Sequence, residues 1–222
     1  MHEVEAELDS RVLHRMLFFT DAVFAIVLTI LVLELKPPES FLEATPETLR
    51  HALPHIGAFI FSFAIIGVFW VAHMNVMRRL VRFDWPTALA NLLFLLPICL
   101  LPFATAWLGV DPRGAFTWEI YCWVLLAISA ANMVMVLTIY RGTGDLIAGG
   151  PLRGELRYRL VRAASPGVSF AVGLVLLAAG QTILAHFCFV LIPVLLLVAR
   201  RFLKPQAVAP PAPAAPGEPE AA

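Results

Sequence analysis

The sequence predicts an all-α, polytopic membrane protein with six transmembrane helices and both termini cytoplasmic. Three observations carry this. The chain is 60% hydrophobic and 14% charged, with a mean hydropathy of +0.82, against roughly 45–50% apolar and about 25% charged residues in soluble domains. Its apolar residues collect into stretches of about 20, and at ~1.5 Å per residue such a helix crosses the ~30 Å hydrocarbon layer. Lys and Arg are confined almost entirely to alternate connections, as the positive-inside bias of membrane proteins requires.

The first span, residues 16–35, is apolar except for Thr20, Asp21, Thr29 and Glu34, and Lys36-Pro37-Pro38 closes it. The preceding MHEVEAELDS is acidic. A signal peptide starts basic and has a shorter apolar core, so this span is expected to be retained. In the polar loop 39–51, Pro46-Glu47-Thr48 reads as a helix start, marking a candidate interfacial helix. The second span, 55–77, runs into Arg78-Arg79. The third, 85–108, carries Pro97 and Pro102, which remove backbone donors and should bend it. A turn at 109–114 leads to the fourth span, 116–140. A polar, basic segment, 141–162, precedes two shorter spans, 165–180 and 182–199, joined by a tight turn. The chain thus divides into a transmembrane domain, 1–204, and a Pro/Ala-rich tail, 205–222, expected to be disordered because it has no apolar face to bury.

With the N-terminus inside, every basic residue except Lys36, Arg50 and Arg113 falls in a cytoplasmic segment. Five spans would place Arg200, Arg201 and Lys204 outside; six keep them inside. Net charge is zero, so no global field points to nucleic acid. Cys99, Cys122 and Cys188 all lie in apolar segments and read as small buried hydrophobes. No Cys/His cluster has metal-ligand spacing. No paired carboxylates, nucleophile–base motif or phosphate loop suggests an enzyme, and no TVGYG-like filter is present. The fourth and sixth spans have no charge in their interiors, which argues against an ion-coupled pump.

The first span is the informative one. At ~100° per residue, Phe19, Ala22, Ile26, Ile30 and Leu33 form one apolar stripe with Thr29 on its flank. Asp21 points nearly the opposite way. An acid inside a span costs roughly 2.5–3.5 kcal/mol at the helix centre and less near the interface, so Asp21 should have a partner on another helix. His73 near the end of the second span and Asn91 near the start of the third lie at the same depth, with Trp70 one turn from His73. An acid, an imidazole, an amide and an indole then share one layer on three helices. A generic helix with a capped polar turn, or independent residues reaching outward to the interface, accounts for the same residues without a network. Arg15 lies on the stripe side, at a spacing from Asp21 that does not suit a same-helix pair.

The first helix, Arg15-x-x-x-Phe19-Thr20-Asp21 followed by Val23-Phe24-Ala25-Ile26 and Thr29-Ile30-Leu31-Val32-Leu33, resembles the R-x-x-x-F-S-D helix of the transmembrane protein 175 family, the endosomal and lysosomal potassium channels and their bacterial relatives. Ser62-Phe63 with Trp70-x-x-His73, then Asn91-Leu92-Leu93-Phe94-Leu95 and Pro102-Phe103, extend the likeness over residues 11–105. Thr20 departs from the usual Ser but keeps the hydroxyl. The resemblance implies a single six-span unit that assembles as a homotetramer in the bilayer, its pore lined by the first helix and without a carbonyl filter. It implies constricting positions at Ile26, Ile30 and Leu33, a selectivity-related threonine at Thr29, and a polar network of Arg15, Thr20, Asp21, Trp70, His73 and Asn91. The expected function is a potassium-permeable cation channel of the plasma membrane, with no cofactor beyond the permeant ion. The alternatives are a proton-conducting or weakly selective cation pathway in the same scaffold, or a non-transporting membrane scaffold.

Overall fold

The structure is a computed structural model that describes residues 2–35, 45–142, 146–148, 150 and 154–203. The elements are α1 (His2–Ile30), which ends in a 3-10 turn (Leu31–Glu34); α2 (Pro46–Met77); α3 (Trp85–Cys99); α4 (Leu101–Val110); α5 (Ala115–Arg141); α6 (Glu155–Ala178); α7 (Thr182–Ala185); and α8 (Leu191–Leu203), entered through a 3-10 turn (Cys188–Val190). Among the described residues, six helical segments are long and apolar enough to cross a membrane: Glu7–Glu34, Arg50–Met77, Trp85–Val110, Ala115–Arg141, Glu155–Ala178 and Thr182–Leu203.

All six predicted spans are therefore present, with three differences in outline. The third is broken at Leu100 between α3 and α4, where Pro97 lies inside one helix and Pro102 starts the next; the missing proline donors make this the cheapest place to interrupt the ladder. The segment from Pro46 is no separate interfacial helix but the first turns of α2, which continues through Pro54 to Met77. The basic segment before the fifth span is helical from Glu155 onward, so α6 is longer than predicted. The loop 36–44 and the tail lie outside the described residues.

α5 forms the centre of the bundle. It packs most extensively on α6 and also on α3 and α4; α2 lies on α4, and α8 on α6. Tyr121, Leu125, Ile128 and Met135 of α5 are fully enclosed. One polar set within this core is paired: Thr105 Oγ1 donates to Ser62 Oγ at 2.7 Å, and Ser62 Oγ lies 2.9 Å from Tyr121 Oη. The turn between the last two spans closes α6 with a Schellman cap. Gly180, at φ 74°, donates to Leu177 O at 2.9 Å, and Gln181 N reaches Leu176 O at 2.8 Å. Two of the helix's last carbonyls are satisfied in this way. Cys122 and Cys188 are buried as expected, whereas Cys99 is exposed on the single chain.

The α5–α6 seam depends on one close approach. Gly167 N donates to Ser129 Oγ at 2.9 Å while that hydroxyl donates to Ala163 O at 2.7 Å. A Cβ at residue 167 would stand 2.6 Å from Ser129 Oγ. Gly167→Ala is expected to cost about 1–3 kcal/mol through overpacking, read as a lower melting temperature of the purified protein in detergent. A variant melting with the parent would place the seam's tolerance elsewhere.

A second cluster ties the polar ends of α2, α5 and α6 together. Glu155, 3% exposed, accepts from Tyr140 Oη at 2.8 Å and from Arg159 Nε and Nη2 at 3.1 and 2.9 Å. Its other oxygen lies 3.6 Å from Arg79. Arg159 also reaches Asn75 O at 2.9 Å, and Arg79 donates to Ala148 O and Gly150 O, both at 3.2 Å. Backbone bonds from Val81 N to Leu146 O and from Ala148 N to Arg79 O complete the attachment.

Candidate pore face and polar network

α1 is covered on one side only. Leu13, Thr20, Phe24, Val27 and Leu31 are buried against α2, α3 and α4. The remaining face carries the predicted stripe. Ile26 is 56%, Ile30 39% and Leu33 70% exposed, and Thr29 lies between them, also exposed. Thr29 Oγ1 donates to Ile26 O at 2.8 Å, so its proton is spent within the helix and its lone pairs face outward. A row of large apolar side chains left bare along a whole helix needs lipid or another chain against it.

The opposite side of α1 holds a chain of buried hydrogen bonds. Thr20 Oγ1 donates to Met16 O at 2.9 Å, so it must accept from Asn91 Nδ2, 2.8 Å away. That fixes the amide with Oδ1 toward His73 Nε2, at 2.9 Å, and makes Nε2 the protonated ring nitrogen. All three side chains are buried. Phe94 stacks flat on the His73 ring at 5.4 Å and Phe24 flanks it at 6.0 Å. A polar group enclosed by aromatic rings cannot exchange its partner for water, so each bond of this chain fixes a helix position.

Asp21 forms a separate arm. Trp70 Nε1 donates to Asp21 Oδ1 at 2.9 Å. The acid thus finds a partner on another helix, but it is not buried: it is exposed at the shoulder between the covered and open faces of α1. Among the predicted network residues, Thr20, Asn91 and His73 form one chain, and Asp21 and Trp70 another. Arg15 joins neither; it is exposed beside Phe18 and Phe19. Its place on the stripe side, noted from the helical period, is what separates it from the buried arm. Sequence reading anticipated neither the Ser62–Tyr121–Thr105 set nor the Glu155 cluster; the i,i+4 spacing of Glu155 and Arg159 was the one local signal for the latter.

Together these features define a multi-pass membrane protein whose first helix is anchored by polar bonds on one side and bare, apolar and threonine-bearing on the other. Residues 15–102 match the family model described as endosomal/lysosomal potassium channel TMEM175. A potassium channel of Streptomyces collinus is 32% identical over 76% of this chain and 84% of its own. The crystal structure of a lysosomal potassium-selective channel TMEM175 homolog from Chamaesiphon minutus superposes with a TM-score of 0.68 at 28% identity, covering 85% of this chain and 98% of that one. The endosomal/lysosomal proton channel TMEM175 of Rattus norvegicus is 27% identical over 55% of this chain but only 25% of its own length. The chain belongs to the TMEM175 family, a family of channels and not of enzymes.

Proposed function

We propose that this protein is a potassium-permeable cation channel of a bacterial plasma membrane, formed by residues 1–204 of four identical subunits with both termini cytoplasmic. The observation that carries this reading is the bare face of α1, where Ile26, Thr29, Ile30 and Leu33 share one side of the helix and are exposed among the described residues. One helix encloses nothing, so a pore built on it needs several copies around an axis. Four such faces form a narrow apolar tube in which water is unstable, and conduction then requires widening or wetting. Thr29 places an oxygen ring between the isoleucine layers. No cofactor enters this scheme; the ligands are potassium ions and the surrounding bilayer, with no role for nucleic acid. Liposome reconstitution with potassium flux and reversal potentials tests it. Potassium-driven flux from a tetrameric species is the expected outcome; a strict monomer, or no flux, supports the non-transporting scaffold instead.

One observation favours a second reading. The matched mammalian relative is named a proton channel, and Asp21 and His73 are groups able to carry protons. They are bonded to different partners, Trp70 and Asn91, so no direct relay links them. A reversal potential that follows the proton gradient and not the potassium gradient would favour this reading.

In the proposed channel Asp21 positions α1 and does not coat the ion path. Asp21→Ala removes the exposed Trp70 bond, a loss of about 0.5–1.5 kcal/mol. Tetramer yield or gating should change first, with ion preference retained. Native mass measurement together with reversal potentials for Asp21→Ala and Asp21→Asn checks this; altered selectivity with normal assembly would put Asp21 in the pore.

A further inference from the structure

On the face away from the Ile26–Leu33 stripe, an apolar groove of about 540 Å³ runs between α2, α6 and α8. Phe63, Val68, Pro166, Ile192 and Leu196 line it. At the polar ends of α2 and α6 it meets a smaller pocket of about 240 Å³ bearing Arg78, Tyr158, Arg159 and Arg162. Ala72, Asn132 and Arg162 border both, so the two cavities are one continuous surface.

The charge in the pocket is unbalanced. Arg159 is matched by Glu155 at 2.9 Å. Among the described residues, no carboxylate lies within ion-pair distance of Arg78 or Arg162. Arg162 is held in place by Tyr158, whose hydroxyl lies 2.9 Å from Nη1 and whose ring lies 5.4 Å beneath the guanidinium. Between the pocket and the groove sits Asn132, 5% exposed, with Oδ1 buried and without a hydrogen-bond partner. The surface therefore presents two guanidiniums with no carboxylate against them among the described residues, a buried acceptor that needs a donor, and an apolar channel leading away from both.

We propose that this surface binds an anionic phospholipid. The phosphodiester pairs with Arg78 and Arg162, a headgroup or glycerol hydroxyl donates to Asn132 Oδ1, and one acyl chain occupies the groove. Guanidinium and phosphate form strong charge-assisted hydrogen bonds, and basic pockets between membrane helices suit acidic headgroups. Arg78 directly follows the last residue of α2, and Arg162 lies two turns into α6, which is headgroup depth for a chain in the adjoining groove. A zwitterionic headgroup brings its own cation and leaves the arginine charge unmatched, so the site distinguishes lipids by net charge.

The test is native mass spectrometry of the detergent-purified protein titrated with phosphatidylglycerol or phosphatidylcholine of matched chains. The expected result is roughly tenfold tighter binding of phosphatidylglycerol, equivalent to ~1.4 kcal/mol. That preference should be abolished in the Arg78→Gln/Arg162→Gln double variant and kept in Arg157→Gln, outside the pocket. Leu196→Trp, which fills the groove and leaves the arginines, should weaken phosphatidylglycerol binding, and glycerol phosphate without acyl chains should bind neither protein detectably. Equal binding of the two lipids, an unchanged preference in the double variant, or glycerol phosphate binding as well as the lipid would overturn the proposal. So would cross-linking of Leu196→Cys to a neighbouring subunit, because a second copy would then occupy the groove.

Discussion

Ile30→Asn is expected to raise potassium conductance by about tenfold, equivalent to ~1.4 kcal/mol removed from the barrier. Ile30 is the middle member of the bare stripe, 39% exposed and on the same helix face as Ile26 and Leu33. In a tetramer the change replaces four apolar groups at one level with four amides that hydrogen-bond to water and to passing ions. A constriction that excludes water by dewetting becomes wettable. The site is exposed on the single chain, so folding should be little affected. Leu28 is half-buried on a different face and borders the α2–α6–α8 groove. Leu28→Ala should therefore leave conductance nearly unchanged. Single-channel recording or liposome flux on both variants decides the matter, and equal effects would mean that the facing assigned to α1 is wrong.

Glu155→Ala is expected to be the most destabilising single change in the described chain. Its carboxylate is 3% exposed and compensates Arg159, whose side chain is 16% exposed, and Arg79, at 26%. Removal leaves two largely desolvated guanidiniums without their acid, at a cost of about 3–5 kcal/mol. The attachment of Ala148 and Gly150 through Arg79 should loosen at the same time. Tyr140→Phe deletes one hydrogen bond to the same carboxylate and should cost only about 1 kcal/mol. Glu155→Gln keeps an acceptor oxygen and loses the charge, so it falls between them. Melting of the three variants in one detergent gives the order. If Glu155→Ala and Tyr140→Phe melted together, Glu155 would not be the electrostatic centre of the cluster.

The parts of this fold that were legible in the sequence are those set by local periodicity or by the membrane itself. The open face of α1 follows from the 100° repeat, because a regular helix turns residue spacing directly into direction. The shared layer of Asp21, Trp70, His73 and Asn91 follows from topology, because polar groups within the bilayer must find one another. Which groups pair does not follow. Thr20 and Asn91 are joined by contact across α1 and α3, and His73 takes Asn91 and not Asp21. Nor does enclosure follow: an acid in a span needs a partner, and Asp21 at a shoulder position meets that need with one indole donor while exposed. The Glu155 cluster was hidden because Arg79 and Asn75 are distant in sequence and come near only through bundle packing. The same packing makes the basic segment after Gly154 helical, since Glu155 and Arg159 stabilise the first turn they share.

The central claim is that the bare face of α1 lines the conduction path. Cysteine substitution along α1, in a Cys99→Ser background that removes the exposed native thiol, tests it most directly. A cationic thiol reagent is added to liposomes during potassium flux. The predicted result is rapid block at Ile26, Thr29, Ile30 and Leu33, with little or none at Leu17 and Leu28. Block at Leu17 and Leu28 with the stripe positions silent would contradict the account.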